Sequence, residues 1–225
     1  MHEKRFFVPF TQNIPFKFKT TGDNKQKSLI VYLHGYKQNM NIFEKKISNL
    51  LELPADHLIL QGPYPIYDER GKRKVKDWGR AWYLYDGGQE QFKRSMEKSA
   101  AFIDEAINKI TDSVSDLSIT IFGYSMGGYL AGYYALSRPK TVDNLIVTGG
   151  RIKTEWFSGK NYESLNTLVL HGLQDKSVQA GAAEKSVQAL QKMGASVTFR
   201  TLKAGHRLNE TYTAEAKRWL SSVLK

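Results

Sequence analysis

The chain contains no cysteine. That one absence excludes a disulfide framework, cysteine-based metal sites and a thiol nucleophile together, and it accords with a reducing compartment. Long apolar runs are missing too: no stretch approaches the roughly 18 residues that a membrane-spanning helix needs. The N-terminus is basic, but Pro9, Thr11, Gln12 and Asn13 interrupt its apolar run before a signal-peptide core can form. A cytoplasmic location with no membrane span is therefore expected. There is no internal repeat, low-complexity tract or linker. Phosphate-loop, zinc-helix and dinucleotide-fingerprint patterns are likewise lacking, so neither a metal nor an organic cofactor is expected.

What remains is an ordinary globular composition in 225 residues, with 41% hydrophobic and 24% charged side chains. This length and composition predict one domain over 1–225. The net charge of +11 could serve nucleic acid, an anionic surface or acidic substrates. Because the cations are spread along the chain and the densest run, 70–76, is short, a solvated basic surface is expected, without specific nucleic-acid binding.

Short β-branched runs alternate with longer amphipathic stretches. Strands are expected at 28–33, 58–60, 117–122, 142–147, 167–170 and 197–202. Helices are expected at 42–53, 90–110, 126–137, 180–192 and 210–224. Such alternation predicts an α/β fold with a mostly parallel central sheet and helices on both faces. The alternating runs 6–10 and 16–19 could add an antiparallel edge. In sheets of this kind ligands gather beyond the carboxyl ends of the strands, and the chemistry-bearing residues fall there.

The strongest pattern is Gly123-Tyr-Ser125-Met-Gly127, preceded by the strand Ile-Thr-Ile-Phe and followed by a helix. This is the setting of a nucleophile elbow, in which a tight strand-to-helix turn exposes a serine above the sheet. A serine needs a base to take its proton and an acid to hold that base in the right tautomer. In this fold they follow in the order Ser, acid, His. Only His171 and His206 lie after Ser125, and His206 sits in a loop beyond the last strand, so it is the expected base. His171 abuts a strand end and suits a structural role. Asp175, just past a strand, is the expected acid. Asp143 precedes its strand and would lie at the wrong edge of the sheet. The oxyanion formed during acyl transfer needs two N–H donors. Those of Met126, after the nucleophile, and Tyr36, in the loop Leu33-His-Gly-Tyr, are expected to supply them. His34 is expected to brace that loop.

Together the pieces Leu33-His-Gly-Tyr-Lys-Gln-Asn, Gln61-Gly-Pro-Tyr-Pro, Ala81-Trp-Tyr, Gly123-Tyr-Ser-Met-Gly-Gly, His171-Gly-Leu-Gln-Asp and Gly205-His resemble the phospholipase/carboxylesterase group of α/β hydrolases, which includes the acyl-protein thioesterases. They also resemble a small serine hydrolase family whose oxyanion loop reads H-G-x-x-Q-N. The resemblance implies the α/β-hydrolase fold without a large lid domain, and a cofactor-free hydrolase acting on a small-molecule ester or thioester through an acyl-enzyme. It implies Ser125, Asp175 and His206 as catalytic residues and Tyr36 and Met126 as oxyanion donors. Trp82 and Tyr83 would be substrate-binding residues in the aromatic segment 63–88, with Trp156 and Phe157 as a second wall. Two features depart from the group: Met126 stands where glutamine is usual, and the segment 68–76 is unusually charged. A peptidase or acyltransferase on the same triad, or a non-catalytic binding protein of the same fold, are the competing readings. Either a monomer or a homodimer is compatible with the sequence.

Overall fold

A computed structural model describes residues 4, 6, 8, 11–23, 27–71 and 73–224. Its frame is a seven-stranded sheet built from β1 (Phe16–Thr21), β2 (Ser28–Leu33), β3 (Ala55–Leu60), β6 (Ser118–Tyr124), β7 (Asn144–Thr148), β8 (Asn166–Gly172) and β9 (Ser196–Leu202). A two-residue hairpin, β4 (Tyr64–Pro65) and β5 (Arg80–Ala81), stands outside it. The sheet order is β1-β3-β2-β6-β7-β8-β9, all parallel except β1, which pairs antiparallel with β3. From β2 the chain moves first to β3 on one side and later to β6 on the other. The carboxyl ends of β2 and β6 therefore flank a topological switch point, where open α/β sheets form their ligand crevice.

The run Ser-Leu-Ile-Val-Tyr-Leu of β2 is buried throughout because the sheet is covered on both faces. The two-residue period of a strand sorts it. Leu29, Val31 and Leu33 join the apolar layer under α2 (Gln89–Asn108), α3 (Met126–Ser137) and α4 (Ala180–Lys192). Ile30 and Tyr32 join the layer under α1 (Met40–Lys46) and α5 (Glu210–Val223). Helix α3 is apolar nearly all round, the mark of a helix buried on most sides. Its Tyr133 and Tyr134 hydroxyls donate to Glu97 and Asp104 of α2, each at 2.8 Å.

The helix expected over 42–53 is shorter and broken. Asn39 caps α1 by accepting the N–H of Ile42 at 2.9 Å, and the helix ends at Lys46, with a separate 3₁₀ turn at Leu50–Glu52. Ser48 and Asn49, which compete with helical bonding through their side chains, stand in the gap, and Pro54 closes the segment. The expected edge over 16–19 is β1. Of the run 6–10, only Phe6 and Val8 are described, both as exposed coil, and the rest lies outside the described residues. Among the described residues no helix is long and apolar enough to cross a membrane. The whole is the α/β-hydrolase fold, with no large extra domain.

Candidate active site

Ser125 follows β6 directly and precedes α3. Its backbone stands at φ 53° and ψ −116°, a region that L-residues rarely occupy. Two glycines permit the turn. A Cβ on Gly123 would strike the Gly127 backbone and Ala131, and one on Gly127 would strike the carbonyl oxygens of Leu33 and His34. The turn is tied to the neighbouring strand by the Ser125 N–H, which donates to Thr148 O at 2.9 Å. The serine hydroxyl is thus lifted to the first turn of a 12-residue helix, where unpaired N–H groups favour negative charge.

The three residues expected to work with one another converge. Ser125 Oγ lies 2.9 Å from His206 Nε2, and His206 Nδ1 lies 2.7 Å from Asp175 Oδ2. They come from the loops after β6, β8 and β9, so parallel pairing alone delivers them to one edge of the sheet. The other Asp175 oxygen accepts the N–H groups of Ser177 and Val178 at 2.8 and 2.9 Å. Burial by itself would raise this carboxyl, but the two N–H bonds and the imidazole outweigh it and hold Asp175 below the usual carboxylate range. The Tyr124 hydroxyl donates to the His206 carbonyl at 3.1 Å and steadies that residue from the strand that leads into Ser125. Asp143 sits at the opposite edge of the sheet, accepting the Ile119 N–H at 2.8 Å.

His171 is fully buried, and its Nε2 lies 2.8 Å from the Val178 carbonyl, clasping the loop that carries Asp175. His34 is fully buried under the loop after β2. Its Nδ1–H donates to Gly35 O at 2.8 Å while Nε2 accepts the Gly62 N–H at 3.0 Å. The second bond requires the neutral imidazole, because Nε2 accepts only when it carries no proton. Burial above all, with an opposing contribution from the Gly35 carbonyl and a reinforcing one from Arg80, brings His34 down to about 4. Among the described residues the backbone N–H groups of Tyr36 and Met126 have no protein acceptor. Since Gly127 abuts Leu33 and His34, the two donors belong to segments in direct contact.

The aromatic residues divide. Trp82 has no exposed surface: its indole N–H donates to the His34 carbonyl at 2.7 Å, and its ring lies 4.8 Å from the imidazole, beneath the loop rather than on a pocket wall. Tyr83 is partly exposed and packs 4.8 Å from Phe92, which also meets Tyr85 and Trp156. Phe92 thereby joins the segment 63–88 to the segment 149–161. Phe157 is buried against Tyr133.

Sequence reasoning missed Phe92, which reads only as a core position of α2, and Arg80. Arg80 pairs by its backbone with the loop after β2: Lys37 N–H donates to Arg80 O at 3.1 Å and Arg80 N–H donates to Gln38 O at 2.7 Å. A charge standing alone in Gly79-Arg80-Ala81-Trp82, next to an expected site residue, was the available signal.

The phospholipase/carboxylesterase family model matches residues 18–224. Among solved structures the chain is similar to a Bacillus cereus carboxylesterase (TM-score 0.74, 16% identity, covering 93% of this chain and 94% of that one). It is similar also to Zea mays acyl-protein thioesterase 2 (TM-score 0.72, 21% identity, covering 94% and 99%). A third is a carboxylesterase from Mesorhizobium loti (TM-score 0.72, 17% identity, covering 92% and 94%). No curated protein matches the chain by sequence.

Proposed function

We infer, from the fact that this chain belongs to the phospholipase/carboxylesterase family, that it hydrolyses carboxylic esters of small to medium size through an acyl-enzyme on Ser125. The observation that carries the reading is the continuous relay from Ser125 Oγ through both nitrogens of His206 to Asp175, at 2.9 and 2.7 Å. His206 Nε2 takes the hydroxyl proton as Oγ adds to the ester carbonyl. The oxyanion that forms is held by the N–H groups of Met126 and Tyr36, with the N-terminus of α3 adding favourable potential. The imidazolium is balanced by Asp175, which also fixes the proton on Nδ1. Collapse of the tetrahedral intermediate breaks the C–O bond, and His206 returns its proton to the leaving alcohol. A water molecule, deprotonated by the same imidazole, then releases the acid and restores Ser125.

The same atoms would cleave a thioester, with a thiol leaving in place of the alcohol. Tyr83, Tyr85 and Trp156 form the aromatic surface that suits an apolar acyl chain, while Trp82 holds the oxyanion loop from below. The test is hydrolysis of p-nitrophenyl esters of two to twelve carbons and of matching thioesters, by the wild type beside Ser125→Ala, His206→Ala and Asp175→Asn. Activity peaking at one chain length and falling by about 10³-fold or more in each variant is expected. A folded wild type that neither cleaves any substrate nor is labelled at Ser125 by a fluorophosphonate sinks the reading.

A further inference from the structure

Next to the oxyanion loop lies a cleft of about 450 Å³ that the chemistry above does not use. Tyr36 and Lys37 form one wall, and the excursion between β4 and β5 forms the other through Asp68, Glu69, Arg70 and Arg73. The charges there do not cancel. Asp68 is buried and engaged by Arg73: Oδ2 accepts the Arg73 backbone N–H at 2.9 Å and Oδ1 accepts Nη2 at 3.2 Å. Beyond that pair, the charges lining the cleft among the described residues are Lys37 and Arg70 with Glu69. Lys37 Nζ lies 5.5 Å over the Tyr36 ring, and among the described residues neither Lys37 nor Arg70 has an ion pair.

A third cation follows a residue of the wall in the chain. Gly79 lines the cleft, and Arg80, next in the chain, is only 6% exposed. Its Nε and Nη1 are buried and have no hydrogen-bond partner among the described residues. Its pKa is lowered by burial, with no carboxylate acting in opposition. Buried guanidinium nitrogens without a partner are costly, and the positive charge they carry has no ion pair among the described residues. Its backbone bonds to Lys37 and Gln38 fix the cleft wall in place before any ligand arrives. Asp68, Glu69, Arg70 and Arg73 of this wall belong to the segment that is more charged than the family pattern leads one to expect.

We propose that the cleft is an anion subsite, which binds the carboxylate or phosphate of an ester whose scissile carbonyl is presented to Ser125. This deepens the hydrolase reading and rests on it. The preferred substrates are then anionic esters, held by Lys37 and Arg70. Tyr36 belongs to both halves of the site, its backbone N–H assigned to the oxyanion and its residue forming the cleft wall, so the anionic group binds beside the reacting carbonyl's end of the crevice.

Two measurements decide it. In the first, kcat/KM is compared within neutral and anionic pairs: p-nitrophenyl hexanoate against the p-nitrophenyl half-ester of adipic acid, and methyl p-acetoxybenzoate against p-acetoxybenzoate. The wild type should favour the anionic member of at least one pair. Arg70→Glu should lower that anionic-to-neutral ratio by about tenfold, as expected for loss of a charge-assisted bond, and added salt should lower it in the wild type. Lys192→Glu, at the far end of α4, removes the same charge at a distance and should leave the ratio in place. In the second, inorganic phosphate and succinate are titrated separately into Ser125→Ala, and the melting temperature is followed. A rise that Arg70→Glu abolishes in that background supports the subsite even if no ester offered is cleaved, and the anion that produces it identifies the group. The proposal is overturned if neither anion shifts the melt, if the shift survives Arg70→Glu, or if Arg70→Glu and Lys192→Glu change the ratio equally.

Discussion

Ser125 holds a backbone conformation that its own side chain disfavours, and replacing it with glycine measures what that costs. A non-glycine residue at φ 53° and ψ −116° carries strain of about 1–3 kcal/mol. Glycine relieves that strain but loses more freedom on folding, an opposing effect of about 0.5–1 kcal/mol relative to alanine. The reference is therefore Ser125→Ala. Both substitutions delete the hydroxyl that meets His206 at 2.9 Å, but alanine keeps the Cβ that makes the conformation unfavourable. The difference between the two variants is the relieved strain less that entropic loss, so glycine is expected to be more stable by about 1 kcal/mol. In a chain of this size that corresponds to about 2–4 °C in Tm. Thermal unfolding followed by circular dichroism reads it, with esterase activity absent from both variants. If Ser125→Gly melts below Ser125→Ala, the strain at this turn is smaller than glycine's entropic loss and the elbow argument is wrong.

Two further expectations follow from the residues around the oxyanion loop. His34 has a folded pKa of about 4 against about 6.5 when unfolded, so the unfolded chain takes up a proton that the fold resists. Stability from this group is complete above about pH 6.5 and is lost as pH falls from there to about 4, a total of roughly 3 kcal/mol. Urea unfolding at about pH 8 and about pH 4.5 should show the wild type losing about 2–3 kcal/mol more than His34→Gln; equal losses would refute the assignment. Gly127→Ala drives a Cβ into the Leu33 and His34 carbonyls and should cost about 1–3 kcal/mol together with most activity. Gly181→Ala in α4, where a Cβ meets nothing within 4 Å, should instead gain up to about 1 kcal/mol. A Gly127→Ala protein as stable and active as the wild type would mean that the close approach does not matter.

The sequence carried the local signals well. The bounds 28–33, 126–137 and 180–192 agree with β2, α3 and α4, because uninterrupted β-branched runs and long helical stretches leave little room for another reading. The convergence of Ser125, Asp175 and His206 was legible for a simple reason: each follows a parallel strand, and parallel strands deliver their ends to one edge. Lateral strand order was not legible, since nothing in β2 or β3 tells which side of the sheet the next strand will take. The break after Lys46 depended on a balance between Ser48, Asn49 and the burial of Leu50, which a hydrophobic pattern weighs poorly. Arg80 and the depth of Trp82 were hidden because both are set by non-local bonds, to Gln38 and to His34. No spacing in the chain records those bonds.

The position of β6 has a consequence for how the protein would lose activity on heating. It is the fourth of seven strands, with three on either side, whereas His206 hangs from the loop after β9, the outermost strand. Ser125 therefore belongs to the part of the sheet whose amide protons should exchange only on global opening, and His206 to a margin that can fray first. A loss of contact at the margin separates a proton acceptor from a hydroxyl that has not moved. On the proposed mechanism catalysis is then tethered to an edge strand, and a thermal inactivation curve would run ahead of the unfolding curve.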